Sequence, residues 1–183
     1  MKTNDYVAGI CGQFENLDFA QQTAFNMAAV VLFDRAWARA SNEFLGQDKA
    51  FQVTERAWNI IGEYTAELMQ KALGLSAMSK FEHVRGVIKA GYRAWLIPIQ
   101  INQENDDLFE FECLACPFPS YGIELFDVRE GDHSCRVLKA MTPAWIDGIV
   151  NRAGLAGHFT AVIDSAICCG DVTCKVTVTK IGK

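Results

Sequence analysis

Cys113 and Cys116 stand in a C-x-x-C spacing, and Pro117 follows directly. A loop wrapped around one metal can bring two such thiolates together, and a proline would stiffen that loop. Cys135 and Cys174 are available to complete a set of Cys113, Cys116, Cys135 and Cys174. Zinc or an iron–sulfur cluster takes thiolates of this kind. The same residues fit two other roles. A redox pair needs a helix opening of the thioredoxin type, and the sequence shows none. Reduced cysteines also serve as small buried hydrophobes. The chain holds 7 cysteines, an odd number that suits a closed disulfide framework poorly.

Three of the seven crowd the stretch "SAICCGDVTCKVTVTK". Side chains alternate along a strand, so Cys168 and Cys169 would face opposite ways. Read as a two-residue hairpin turn, Gly170–Asp171 places Cys169 on the face of Cys174, diagonally across the ladder. Asp171 reads as a turn former rather than a catalyst. No Ser-His-Asp order, phosphate loop or dinucleotide-binding glycine fingerprint is present.

The elements that must position these residues fall into two halves. A proline-free segment from Asn16 to Phe44 predicts a long helix, with Asp18 or Asn16 as its cap. Its apolar stripe would be Phe25, Ala28, Ala29, Leu32 and Ala36. A second helix is expected from Asp48 to Leu73, with Ala57, Ile61, Tyr64, Leu68 and Ala72 facing the core and Gly74 ending it. "SKFE" reads as a capping box on Ser79 and Glu82, opening a third helix with Phe81, Val84 and Ile88 inward and Gly91 at its end. His83 on that helix reads as solvated or half-buried.

The second half reads as a sheet. "RAWLIPIQI" alternates, with Trp95, Ile97, Ile99 and Ile101 on one parity, and Pro98 marks an edge strand or a bulge. "NQENDD" is a polar turn. "LFEFECL" then alternates Leu108, Glu110 and Glu112 against Phe109, Phe111 and Cys113, completing a hairpin. Helix is expected again from Ser134 to Asn151, interrupted or begun anew near Pro143, and two closing strands follow around the Gly-Asp turn. The fold class is therefore α+β: an N-terminal helical region, residues 1–78, then a mainly antiparallel sheet with inserted helices, residues 79–183, forming one compact unit.

Composition bounds the function. The net charge of −5 carries no basic stripe, so no nucleic-acid partner is expected. No apolar run approaches the length of a membrane span, and "MKTNDYVAGI" lacks the pattern of a signal peptide. A cytoplasmic protein with reduced thiols is the expectation, bound to no membrane. A homodimer is open, since the helical first half offers surface for one.

"CPFPSYGIELFD", "HSCRVLKAMTPAWIDGI" and "GDVTCKVTV" together resemble the superfamily of 4-vinyl-reductase-type small-molecule-binding domains. Within it, the chain is similar to the L-2-amino-thiazoline-4-carboxylic acid hydrolase family. The likeness spans roughly residues 80 to 181 and rests on Cys116 with Pro117 and Phe118, on Cys135, and on Gly170, Asp171 and Cys174. Vinyl-reductase-type domains tend to carry a cysteine four residues before the Gly-Asp, where this chain has Ala166. The resemblance implies a helix-fronted sandwich (4-vinyl-reductase-like) with a small-molecule ligand held between sheet and helices. It implies a hydrolase that adds water to a small cyclic thiazoline or amidine-type substrate. Cys116 and Cys135 would then act as nucleophile or metal holders, Glu124 or Asp127 as base, and His158 as proton carrier. The alternative is a non-catalytic sensor or carrier of an apolar ligand, motivated by 12 phenylalanines and 4 tryptophans.

Overall fold

The computed structural model describes residues 18–95, 97–115, 132–167 and 170–182. They form helices α1 (Phe19–Leu45), α2 (Gln47–Ala72) and α3 (Phe81–Ala94), strands β1 (Ile99–Glu104) and β2 (Leu108–Cys113), helix α4 (Asp132–Arg152), and strands β3 (Phe159–Ser165) and β4 (Cys174–Lys180). The α+β class and the helical N-terminal region are as the sequence predicts.

All pairings in the sheet are antiparallel, in the order β1-β2-β4-β3. Two hairpins thus lie side by side, joined by β2 and β4. One face carries Phe109, Phe111, Val176 and Val178 into the core with Phe159 and Ala161. The other carries Glu110, Lys175, Thr177 and Asp164, tied by a 2.9 Å Lys175–Glu110 ion pair and a Thr177–Asp164 hydrogen bond. Period-2 alternation produces both faces at once.

Helices α3 and α4 cover the apolar face. On α3, Phe81, Val84, Ile88 and Tyr92 are buried at helical spacing. Phe81 stacks on Phe159 at 4.0 Å. Arg85, also buried, lies over the Phe81 ring and donates to the Asn105 carbonyl in the β1–β2 turn. That turn is closed by the Asn105 side chain, which accepts from the backbones of Asp107 and Leu108.

Helix α4 passes between α2 and the sheet. Its crossing with α2 is so close that a Cβ added to Gly62 would lie 2.0 Å from the Trp145 carbonyl oxygen. One added to Gly148 would lie 1.9 Å from that of Asn59. Glycine inside a helix costs about 1 kcal/mol against alanine. Here it admits backbone-to-backbone contact, and Asn59 reinforces the crossing by donating to the Ala144 carbonyl at 3.2 Å.

Several sequence expectations require correction. The third helix starts at Phe81 with Lys80 as its N-cap, and no side chain caps it; the Ser79 box is absent. A capping box does form on α1, between Asp18 and Gln21. Gly91 does not end α3. It sits inside the helix where the Trp145 ring passes, 2.7 Å from the position of an added Cβ. Gly74 does take a left-handed conformation, with φ of 63° just beyond α2. Trp95 caps α3, so β1 begins only at Ile99, with a register shift between Ile101 and Gln103. Pro98 precedes it on an edge strand, where its missing N–H costs nothing. Helix α4 runs through Pro143 without a break.

The core stripes chosen for the first two helices are also displaced. On α2 the buried positions are Ala50, Thr54, Gly62 and Ala66, whereas Ile61, Tyr64 and Leu68 are exposed. On α1, Ala29 and Ala36 are exposed, and Ala38 and Ser41 are the buried described residues. Close helix crossings select small residues, so size misleads as a guide to burial.

Candidate functional site

Strand β2 ends at Cys113 and β4 begins at Cys174, and the register sets the two directly opposite each other. The Lys180 N–H donates to the Asp107 carbonyl at the far end of the same ladder, 2.8 Å away. Counting back in steps of two makes 109/178, 111/176 and 113/174 the backbone-bonded pairs. Such a pair holds its Cα atoms about 5.5 Å apart, wider than an unbonded pair. The two thiols therefore lie side by side on the helix-covered face. Cys113 is buried and Cys174 half-buried.

The Tyr92 hydroxyl of α3 reaches this pair. Thr142 of α4 and Cys113 are the polar side chains that act on it. Burial holds the phenol well above its ordinary 10.0; Thr142 opposes the rise, and Cys113 and Cys174 add to it. Tyr92 is legible in the sequence in one respect. It continues the row Phe81, Val84, Ile88 and so places a polar tip at a core position.

An aromatic wall surrounds the phenol. Tyr92 makes edge contacts with Phe111 at 5.2 Å, Trp145 at 5.7 Å and Trp95 at 5.9 Å. Trp95 leans on Trp145 at 4.7 Å and takes Trp58 edge-on at 5.9 Å. Trp145 is only 1% exposed, and its indole N–H donates to the Thr65 hydroxyl at 3.4 Å. The wall depends on the glycines, since Gly62 and Gly91 leave the space that the Trp145 backbone and ring occupy.

The loop between β3 and β4 differs from the expected two-residue turn. Ser165 pairs with Lys175, and residues 166 to 173 span the gap. Gly170–Asp171 lies inside this wider loop, and Cys168 and Cys169 fall outside the described residues. Asp171 ties this loop to the end of β3. Its carboxylate accepts from the Ala166 N–H at 2.7 Å, and its own N–H donates to the Ala166 carbonyl at 3.3 Å. This fold-back aims the Ile167 N–H at the Cys174 sulfur, 3.2 Å away. Burial raises the Cys174 thiol above its ordinary 9.0; the Ile167 N–H opposes the rise and the Asp171 charge adds to it. A thiol held above 9 is protonated at neutral pH and is a poor nucleophile.

The structure brings together Cys113 and Cys174 of the four-thiol set. Cys116, Glu124 and Asp127 lie outside the described residues. Cys135 falls in the first turn of α4, where the side chain is outside them too. His158 is exposed in the turn before β3 and accepts from the Ile181 N–H through its backbone. It stands at the opposite end of the sheet from the thiols, since Phe159 pairs with Lys180 while Cys174 starts β4. Among the described residues, no group of three or more His, Cys, Asp or Glu side chains is placed to hold a metal ion. None of the helices among them is long and apolar enough to cross a membrane.

This layout is an antiparallel four-stranded sheet backed on one face by helices, with aromatic side chains and two thiols packed between the layers. Solved structures of the same fold exist. One is the phenol-responsive sensory domain of the transcription activator PoxR with phenol: 12% identity over 84% of this chain and 74% of that one, with a TM-score of 0.54. Another is a trafficking protein particle complex subunit 3 from Naegleria fowleri, covalently bound to palmitic acid. It is 11% identical over 87% of this chain and 93% of that one, with a TM-score of 0.59. No protein-family model and no curated protein matches the chain.

Proposed function

We propose that this protein is a non-catalytic small-molecule-binding domain, a sensor or carrier, whose ligand lies between the sheet and helices α3 and α4. The observation that carries this reading is the Tyr92 hydroxyl. It is a buried polar point beside Thr142 and Cys113, within a wall of Trp58, Trp95, Trp145 and Phe111. Ligand sites of this kind are mostly apolar, with a few placed polar groups. Of two proteins of the same fold, one is solved with phenol and the other covalently bound to palmitic acid, which supports the reading by analogy.

The hydrolytic reading gains less. A nucleophile needs an activated thiolate and a nearby base. Cys116, Glu124 and Asp127 lie outside the described residues, as does the side chain of Cys135, and His158 sits at the far end of the sheet from Cys113 and Cys174. The set of Cys113, Cys116, Cys135 and Cys174 remains a proposal for zinc or an iron–sulfur cluster. It requires about one metal equivalent per chain, lost in Cys113→Ser.

The binding reading is tested by tryptophan fluorescence. Three of the four tryptophans line the wall, so titration with phenols and with long-chain fatty acids should give a saturable change for one class. Tyr92→Phe should weaken it about tenfold, the worth of one buried hydrogen bond. A flat response to both classes, with no small molecule released from the purified protein on denaturation, would refute the reading.

A further inference from the structure

Helix α2 carries a row at alternating steps of four and three: Ala50, Thr54, Ala57, Ile61, Tyr64, Leu68. That is the spacing of a coiled-coil seam. Its first part is closed. Ala50 and Thr54 are buried, as are Ala38 and Ser41 on α1. Its second part is open, with Tyr64 63% and Leu68 67% exposed. A second row, Phe33, Trp37, Ala40 and Phe44, lies on α1 with the same four-three-four steps. It is exposed too, at 73% for Phe33 and 87% for Phe44.

We infer that a second copy of this chain covers these rows. Across a two-fold axis, the α1 row of each copy packs on the open α2 row of the other. Two observations favour this occupant. The two rows share one spacing, and a single two-fold operation removes both from water. The area also suffices. Phe33, Trp37, Phe44, Ile61, Tyr64 and Leu68 together expose on the order of 750 Å² if a whole side chain of this size offers about 200 Å². A standard interface takes roughly 800 Å² from each partner, whereas the largest apolar patch on a monomer is about 300–600 Å². Charged residues flank the rows as local pairs, Arg39 with Glu43 and Lys71 with Glu67, which suits a polar rim.

Sedimentation equilibrium of the full chain at about 10 μM decides the question. The expected result is twice the 20.3 kDa chain mass. Leu68→Glu and Phe33→Glu should each weaken association at least thirtyfold, the mark of an interface hot spot. Val172→Glu, at a fully solvated loop position, should leave it unchanged. Circular dichroism checks that each variant stays folded. If one does not, a Trp37→Cys chain mixed with a Tyr64→Cys chain should yield a disulfide-linked heterodimer, found by peptide mapping at those two positions. A monomer at 100 μM would overturn the inference. So would association that survives both substitutions, or loss of the exposed rows to lipid vesicles or to a different protein in place of a second copy.

Discussion

Replacing Gly62 by alanine puts a methyl group 2.0 Å from the Trp145 carbonyl oxygen and 2.9 Å from its carbon. Both are backbone atoms, so no side chain can swing aside. Helices α2 and α4 must part until that 2.0 Å approaches the 3.4 Å of ordinary contact. Overpacking of this kind costs about 1–3 kcal/mol, and opening the crossing forfeits a quarter to a half of the dispersion energy along it. Loss of the Asn59–Ala144 hydrogen bond adds about 1 kcal/mol. Against this, alanine gains about 1 kcal/mol of helix propensity. The net expectation is a destabilisation of about 2–4 kcal/mol, or a melting point lower by roughly 5–15 °C for a chain of this size. The molecule supplies its own control. Gly86 is on the exposed side of α3, and an added Cβ there meets nothing within 4 Å. Gly86→Ala should therefore stabilise by about 0.5–1 kcal/mol. Urea unfolding of both variants measures the difference. Equal stability of Gly62→Ala and Gly86→Ala would refute the close crossing, and with it the positioning of Trp145 in the aromatic wall.

The chemistry around Tyr92 and Cys174 yields three further expectations. Tyr92 and Cys174 are acids whose folded values lie above 10.0 and 9.0, so the unfolded chain gives up their protons first. Stability should be full below about pH 9 and fall as pH rises beyond it, with a smaller fall in Tyr92→Phe; urea midpoints at pH 7 and pH 10 would show this. Cys174 should react with iodoacetamide at pH 7.5 at least tenfold more slowly in the folded chain than in urea, as read by peptide mass mapping; equal rates would contradict its burial. Asp171→Ala removes a charge-assisted bond to the Ala166 N–H, which should cost about 1–2 kcal/mol and speed Cys174 alkylation as the Ile167 contact loosens.

The sequence alone determined much of the local structure. "LFEFEC" reads as a strand with Phe109, Phe111 and Cys113 inward because period-2 alternation is a property of the backbone itself. Phe81, Val84 and Ile88 mark the buried side of α3 for the corresponding helical reason. Helix limits near Asp18 and Gly74 follow from capping and left-handed backbone, which neighbouring residues decide. Tertiary structure decided the rest. Apolar residues run around most of α2, and only the approach of α4 makes Gly62 and Ala66 the inner face in place of Ile61, Tyr64 and Leu68. Cys113 meets Cys174 because β2 pairs with β4, an alignment between segments far apart in the chain that no local spacing encodes. The same pairing leaves His158 at the opposite end of the sheet. Local grammar sets which way a side chain can point; the packing of distant elements sets what it meets.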